Sequence, residues 1–450
     1  MVRFLLFVIL LHAVPLCAQQ WQWAVNPVRG YEVVDVSVGP QKQSVVITQV
    51  PERNYTLTLI DSTGQTQASQ EYYFGQWYGD RVLFSQIDAL GNVWVLSRQM
   101  LDIHEQRASD AYPFDAYGEE AEQAPLQEPE YQQFILLEKY TSDLQLTQSY
   151  RLIRCFGNEY TLDVDDMEID AEGNIWLCAE VADTFQFQER TYVPGYNGGA
   201  FLLCFPGERT GKFPWLNFFV KNSDCCRGSV QSFHLAVNKS GTCVVSGSFT
   251  KELTFENGTR FTNGPDGIIM GEMFLAAFGS TGKMMWTKRI GAQSDDKDVI
   301  ALSDGSFVCS GTFREATTID KFNVPGGKNY GNFVMRVDEK SGAFRQFYCQ
   351  DTSSMLHLFA GNNADFYAMF CKGNSSQEYL VYHFDRQLKP QYLTQFYGIT
   401  PRVGARNGTL VVSGMWYWVC AIGPKPFDFF LGGEQRNEGS VVARWDFETR

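Results

Sequence analysis

Four polar residues stand at one distance from a recurring short turn, seven positions before the residue that anchors it: Asp166, His234, Asp298 and His357. Two imidazoles and two carboxylates form a ligand set that suits zinc, manganese or iron. Alternatively, these groups hydrogen-bond neighbouring backbone or water and hold no metal. We expect the four side chains to converge without a metal or another cofactor. The same count in the other copies of the turn gives Val36, Phe84 and Pro401.

The turn recurs along the whole chain. Its clearest copies are Asp88-Ala-Leu-Gly91-Asn92 and Asp170-Ala-Glu-Gly173-Asn174, each followed by an apolar run that contains a tryptophan. The Asp side chain opens such a turn and Gly takes its left-handed position, so each copy predicts a β-hairpin. A third copy stands at residues 238–241, tighter versions stand at 303–305 and 406–408, and weaker copies stand at 41–43 and 362–364.

A second apolar run and a second turn follow each copy, so one unit holds four antiparallel strands. Seven units of roughly 45–80 residues predict an all-β fold, a single β-propeller with seven four-stranded blades. The last unit ends after its third strand at 441–445, and residues 21–25 resemble a fourth strand. We therefore expect the N-terminal strand to complete the last blade and to close the ring, which removes an exposed sheet edge.

An equal offset from the turn means an equal height on the innermost strands, which ring the central channel of a propeller. The start of each innermost strand lies on the face that also carries the longest connections between strands. The four polar residues are therefore predicted to form the polar mouth of the channel on this face. Because side chains alternate between the faces of a sheet, two of the four could instead turn between blades and bond backbone.

The Asp-x-x-Gly-Asn hairpins at 88–92 and 170–174 give the chain a family resemblance. Over residues 20–450 the chain resembles exported bacterial β-propeller repeat proteins. That resemblance implies the propeller fold and export, and it implies no shared activity. A cleavage site such as Ala18-Gln19 is common in the Bacteroidota, so the resemblance suggests an origin in that phylum.

The first 18 residues have the pattern of a signal peptide. Arg3 precedes the apolar run 4–11, and Ala18 supplies a small residue for cleavage, which leaves residues 19–450 for the propeller. Cys17 raises a lipoprotein alternative, but Leu16 replaces the small residue that lipidation favours at that place. No later run approaches the roughly 18 apolar residues of a membrane span. We expect an exported monomer in the periplasm, at the cell surface or secreted.

Composition and motifs exclude several functions. A net charge of −14 argues against a nucleic-acid surface, which needs a basic footprint. Cys178, Cys243, Cys309 and Cys371 lie in strand-like apolar runs, and the cysteines show no zinc spacing. The chain also lacks a Gly-x-Ser-x-Gly elbow, a P-loop and a His-Glu-x-x-His motif.

Five connections between second and third strands are long, at about 100–132, 183–199, 250–271, 314–331 and 416–438. Ligands of a rigid scaffold usually bind where its loops are elaborated, although several of these segments could be extra hairpins. The insertion 100–132 holds nine acids and one base, and is either a binding segment for a basic partner or a solvated loop. Candidate contacts on this loop face are Tyr112, Phe114, Tyr117 and Trp418.

The sequence therefore favours a non-catalytic, exported binding or scaffold module that presents its long-loop face to a protein or a glycan. The alternative is a glycan-active hydrolase or lyase that uses carboxylates at the channel mouth, because paired carboxylates from different blades leave no sequence signature.

Overall fold

The computed structural model describes the strands of the chain and most of their short turns. It covers residues 21–25, 32–50, 54–73, 81–102, 131–156, 161–194, 198–207, 214–222, 233–250, 252–262, 271–290, 294–313, 317–324, 331–350, 353–372, 378–397, 399–406, 409–416 and 439–446. Residues 1–18, predicted as a signal peptide, lie outside these residues, as do most of the acidic insertion, Tyr112, Phe114, Tyr117 and Trp418. No helix within the described ranges is long and apolar enough to cross a membrane.

Strand β1 (Trp21–Val25) is followed by six blades of strands that are consecutive in the chain. The first blade holds β2 (Glu32–Val38), β3 (Ser44–Val50), β4 (Asn54–Ile60) and β5 (Thr66–Tyr73). The second holds β6 (Arg81–Ile87), β7 (Val93–Asp102), β8 (Tyr131–Tyr140) and β9 (Leu146–Phe156). The third holds β10 (Leu162–Ile169) and β11 (Ile175–Val181), then a hairpin of β12 (Phe185–Phe187) and β13 (Arg190–Tyr192), then β14 (Gly199–Phe205) and β15 (Trp215–Asn222).

The next three blades repeat this plan. The fourth holds β16 (His234–Val237), β17 (Cys243–Phe249), the hairpin β18 (Glu252–Phe255) and β19 (Arg260–Thr262), then β20 (Glu272–Phe278) and β21 (Met284–Ile290). The fifth holds β22 (Ser294–Ala301), β23 (Phe307–Phe313), the hairpin β24 (Thr317–Ile319) and β25 (Phe322–Val324), then β26 (Gly331–Val337) and β27 (Phe344–Gln350). The sixth holds β28 (Ser353–Ala360), β29 (Phe366–Lys372), β30 (Glu378–Phe384) and β31 (Pro390–Tyr397).

The remaining strands form one composite sheet from both ends of the described chain. β32 (Ile399–Arg406), β33 (Thr409–Trp416) and β34 (Gly439–Asp446) pair in order, and β1 pairs antiparallel with β34. The innermost strands approach one another in the order β2, β6, β10, β16, β22, β28 and β32, and β32 also approaches β2. The chain is an all-β single propeller, as the sequence predicts, but with six continuous blades instead of the predicted seven, because the remaining strands form a composite sheet of distant segments.

The hydrophobic core lies between neighbouring blades. Every residue of the middle strands β17, β20 and β26 is buried, because each of these sheets is covered on both faces. Such strands therefore read as continuous apolar runs instead of alternating ones. The outer strand β21 is largely half-buried or exposed, so burial falls from the middle of this blade to its outer edge.

The Asp-x-x-Gly-Asn turns have a common hydrogen-bond plan. In the third blade, Asp170 Oδ1 accepts the backbone N–H groups of Glu172 and Asn174, both at 2.9 Å. Its Oδ2 accepts the Asn174 side chain at 2.7 Å and the Trp176 indole at 3.0 Å. Gly173 has φ +84°, a conformation that costs glycine little. One carboxylate thus fixes the turn and anchors a fully buried tryptophan, and Asp88 makes the same contacts in the second blade.

Tryptophans of two outer strands join neighbouring blades. Trp215 Nε1 donates to the Ser280 carbonyl of the fourth blade at 3.2 Å, and Trp286 Nε1 donates to the Glu339 carbonyl of the fifth at 2.7 Å. A Cβ atom on Gly342 would lie 2.6 Å from the Trp286 ring, so this turn approaches the indole closely. These hydrogen bonds connect the third blade to the fourth and the fourth blade to the fifth.

Three of the five long connections contain hairpins, in agreement with the alternative that several of these segments are extra hairpins and not binding loops. The hairpin of the third blade pairs through Phe185 with Cys155 on the outer strand of the second blade. The hairpin of the fourth blade pairs through Phe255 with Phe219 on the outer strand of the third. Each therefore covers the sheet edge of the blade before it. The fifth-blade hairpin forms a separate two-stranded sheet.

We expect Asp170→Ala to lower the free energy of unfolding by about 3 kcal/mol, because it leaves the buried Trp176 indole without its acceptor and opens the turn. Denaturant titration of the purified protein measures this effect. Asp385→Ala is the matched control, since Asp385 accepts only two backbone N–H groups in an exposed turn, and it should cost about 1 kcal/mol. Equal losses in the two variants would contradict the anchoring role of Asp170.

Candidate functional site

The innermost strands share an irregularity in their pairing register. In five blades the pairing register shifts by one residue, and the first residue after the shift occupies what we call the mouth position. In the fourth blade, His234 opens its strand at the same register, opposite Ser246. The mouth positions of the six continuous blades are therefore Asp35, Phe84, Asp166, His234, Asp298 and His357.

In the first blade the mouth position is occupied by Asp35, whereas counting seven residues back from the turn in the sequence gives Val36. Its turn places Lys42 in the left-handed conformation with φ 64°, where the second and third blades use glycine. Seven residues before Lys42 stands Asp35, which pairs with Ile47 at the mouth position. A sequence pattern does not indicate this turn, because lysine rarely adopts the left-handed conformation that is common for Gly and Asn.

In the composite sheet, counting seven residues back from the turn in the sequence gives Pro401, and the structure again differs. The register shift of β32 lies between Ile399 and Arg402, and Pro401 falls within it. Proline has no N–H group for the ladder and is commonly confined to such irregular positions. Arg402 is the first paired residue beyond the shift and stands opposite Ser413.

Asp166 connects the third and fourth blades. Its Oδ1 accepts the N–H of Met167 at 2.8 Å, and its Oδ2 accepts the N–H of Leu235 at 3.0 Å. Leu235 follows His234 in the next innermost strand. Two positions along, Glu168 Oε2 accepts the N–H of Val237 at 2.7 Å. The carboxylates therefore supply hydrogen bonds between two innermost strands that belong to different sheets.

Asp298 repeats this arrangement between the fifth and sixth blades. Its Oδ1 accepts the N–H of Val299 at 2.8 Å, and its Oδ2 accepts the N–H of Leu358 at 2.7 Å. Asp35 joins the first blade to the second in the same way, since its Oδ2 accepts the N–H and the hydroxyl of Ser85 at 2.6 and 2.7 Å. Three equivalent carboxylate clamps thus hold three pairs of blades.

In two of these pairs, a histidine immediately precedes the residue whose N–H donates to the clamping carboxylate. His357 Nδ1 lies 3.9 Å from Asp298 Oδ2, and 44% of the His357 side chain is exposed against 14% of Asp298. His234 is half-buried beside the Asp166 clamp. Phe84 takes the corresponding place in the second blade and is also half-buried. In the sixth blade the imidazole is therefore more accessible than the carboxylate that it faces.

Burial changes the acidity of the clamps. It raises the pKa of Asp298 to about 8, and the nearby charge of Asp166 contributes in the same direction. Burial likewise raises the pKa of Asp166 to about 6, with a contribution from the charge of Asp35. Hydrogen bonds from backbone N–H groups oppose both shifts but do not cancel them.

The four residues were also weighed as a metal-ligand set, although the sequence favours convergence without a metal. Within the described ranges, no three His, Cys, Asp or Glu side chains lie together in a way that could hold a metal ion. Asp298 and His357 approach each other, whereas Asp166 is directed at the backbone of the fourth blade. The geometry gives the acids a clamping role at the mouth. Asp35 and Glu168 were not among the residues predicted from the sequence, although Glu168 lies on the same strand face as Asp166.

No protein-family model and no curated protein sequence matches the chain. Among solved structures, the chain is similar to the Dos1 propeller, with 9% identity, a TM-score of 0.46, and coverage of 95% of this chain and 94% of that one. The chain is also similar to an ulvan lyase of polysaccharide lyase family PL25, with 11% identity, a TM-score of 0.46, and coverage of 87% of this chain and 93% of that one. For virginiamycin B lyase from Staphylococcus aureus the identity is 9% and the TM-score 0.44, with coverage of 94% of this chain and 99% of that one. At these identities the likeness concerns the fold alone.

The raised pKa of Asp298 predicts a defined pH dependence of stability. An acid whose pKa is higher in the folded state stabilises fully below its unfolded pKa of about 4, and this stabilisation is lost as pH rises through the folded pKa of about 8. The free energy of unfolding of the wild type minus that of Asp298→Asn should therefore fall from about pH 4 to about pH 8. Urea titrations across this range measure it, and a rising difference would contradict burial as the main influence on Asp298.

Proposed function

We propose that the protein is a non-catalytic, exported binding or scaffold module that presents its long-loop face to a protein or a glycan. One observation carries this proposal: both oxygens of Asp166 and of Asp298 accept backbone N–H groups. Carboxylates held in this way stabilise the scaffold. They are poorly placed for the proton transfers of a glycosidase, which require an acid directed at the substrate.

The hairpins on the long-loop face support a rigid binding surface. The third-blade and fourth-blade hairpins each extend the sheet of a neighbouring blade. They are also linked to each other, because Arg190 Nη1 lies 3.2 Å from Glu256 Oε1 in an exposed ion pair. Ordered loops on a rigid scaffold lose little conformational freedom on binding, which favours affinity.

We further propose that the composite sheet is a seventh blade and that it closes the ring. The antiparallel register of Trp23 with Arg444 and of Val25 with Val442 supports this proposal. The approach of β32 to both β28 and β2 supports it as well, because a seventh blade must contact the sixth and the first.

The proposed export agrees with the state of the cysteines. The cysteines of the described ranges are thiols and most are buried. Burial raises the pKa of Cys155 to about 11, and it raises the pKa of Cys243 well above the ordinary value. Thiols with such high pKa values react slowly with oxidants, so they tolerate an oxidising compartment.

The alternative function, a glycan-active hydrolase or lyase, is favoured by one specific observation. Asp166 and Asp298 both have raised pKa values, and the charge of one influences the other. Coupled acids with shifted pKa values occur at many catalytic centres. Structural networks produce the same signature, however, and here both carboxylates are engaged by backbone.

A combined binding and turnover screen tests the proposed function. Immobilised protein should retain a defined polysaccharide or a defined envelope protein, and no glycan should be cleaved. A glycan product formed by the wild type and lost in a folded Asp298→Asn variant, but not in Asp385→Asn, would establish the alternative. Asp385 is a suitable control because it lies in an exposed turn of the sixth blade.

A further inference from the structure

Two arginines of the outer strand β9 lie beside one aromatic ring. The guanidinium carbons of Arg151 and Arg154 are 5.2 and 6.0 Å from the centre of the Phe134 ring. Arg154 also lies 4.8 Å from the centre of the Phe156 ring, and its Nε donates to Gln132 Oε1 at 2.7 Å. A cation–π contact orients a planar guanidinium and leaves its outer N–H groups for other acceptors. The two cations are therefore held close together by a shared ring.

A β-bulge brings both arginines to one face of the sheet. The register shifts between Ile135 and Leu136 of β8, so Leu152 of β9 lies outside the ladder. Because side chains alternate along a regular strand, Arg151 and Arg154 would otherwise face opposite sides. The extra residue places both on the face that carries the aromatic ring. Bulges commonly redirect a side chain in this way beside functional sites.

The two arginines of β9 lack the counter-charge found on a comparable outer strand. On β27 of the fifth blade, Arg345 pairs with Asp338 at 2.8 Å. Among the described residues, the arginines of β9 form no ion pair, and Glu138 of the adjacent strand accepts the Tyr140 hydroxyl at 2.8 Å instead. In a chain with a net charge of −14, this leaves two neighbouring cations available to an external anion.

The same strand has an open edge. The third-blade hairpin pairs with β9 only through Phe185 with Cys155 and Gln186 with Arg154. In the described part of the chain, β9 between residues 146 and 153 pairs with β8 alone. Such an edge can accept a further strand through its backbone groups. Charged side chains beside an edge hinder indiscriminate pairing, so the arginines select the charge of the strand that joins it.

We propose that the open edge of β9 binds an extended acidic segment of a partner protein, whose carboxylates contact Arg151 and Arg154. The inference adds a surface on the outer side of the second blade to the proposed binding module. Backbone hydrogen bonds supply affinity, and guanidinium groups recognise carboxylates through paired N–H donors. A strand with an acid at every second position places its carboxylates on one face, as the two arginines require.

Two features favour a polypeptide over an acidic glycan. Phe134 is only 8% exposed and guanidinium groups lie over its ring, so it offers no free face on which a sugar ring could pack. The open edge also presents backbone N–H and C=O groups at the spacing of another strand, which a polypeptide matches and a sugar does not.

Fluorescence anisotropy with a labelled peptide of four Glu-Thr repeats tests the inference, because about eight residues span the open edge. The protein should bind this peptide at least about tenfold more tightly than peptides of Gln-Thr or Lys-Thr repeats. The double variant Arg151→Gln, Arg154→Gln should lose about tenfold in affinity. Binding should also weaken when salt is raised from about 0.05 M to about 0.5 M.

Arg345→Gln is the matched control. Arg345 lies on the outer strand of the fifth blade with 61% of its side chain exposed, and its replacement should leave binding unchanged. Amide hydrogen exchange provides a second readout, since an added strand should slow exchange between residues 146 and 153. Binding without this protection, or equal losses in the double variant and the control, would overturn the inference.

Other occupants of the edge give distinct outcomes. If the peptide binds only after the acids of the insertion 100–132 are replaced by amides, the insertion itself occupies the edge and the inference is wrong. Tighter binding of an oligogalacturonate of equal charge, lost in the same double variant, would also overturn it. Retention of a glycan or a protein without peptide binding at β9 would overturn the inference and keep the proposed function. Retention of no glycan and no protein would remove the proposed function itself.

Discussion

The innermost strands of this propeller must be held to their neighbours without sharing a sheet with them. Each innermost strand completes its backbone ladder within its own blade, so contact at the axis depends on side chains. Asp35, Asp166 and Asp298 provide it by accepting N–H groups of the following blade. Backbone groups turned toward a neighbouring sheet require such partners when they are buried. Register, mouth geometry and the acidity of the site all depend on these clamps.

The repeating parts of the fold were accessible from the sequence. The Asp, Gly, Asn and Trp of the second and third turns predict hairpins because one carboxylate satisfies four donors, and the structure has this plan in both. The apolar runs located the strands for a similar reason, since sheets covered on both faces leave no polar side. Only the partners of the hairpins were hidden, because a short strand does not encode which neighbouring edge it joins.

The site was only partly predictable. Equal spacing from the turn placed Asp166, His234, Asp298 and His357 at one height, and the register agrees. It failed in the first blade, where Lys42 adopts a conformation that sequence patterns assign to glycine. The direction of the acids and their raised pKa values arise from burial between blades, which no linear pattern records. The approach of His357 to Asp298 likewise emerges only in three dimensions.

The composite sheet has a consequence for the order of folding. Trp21 pairs with Trp445, so the contact spans almost the whole chain. Contacts of such long sequence separation carry a large loop-closure entropy and form slowly. Six blades can assemble from local hairpins as their strands emerge, whereas β1 has no partner until β34 has been synthesised. Strand β1 is thus among the last of the described strands to pair, and its pairing joins two distant segments of the chain in one sheet.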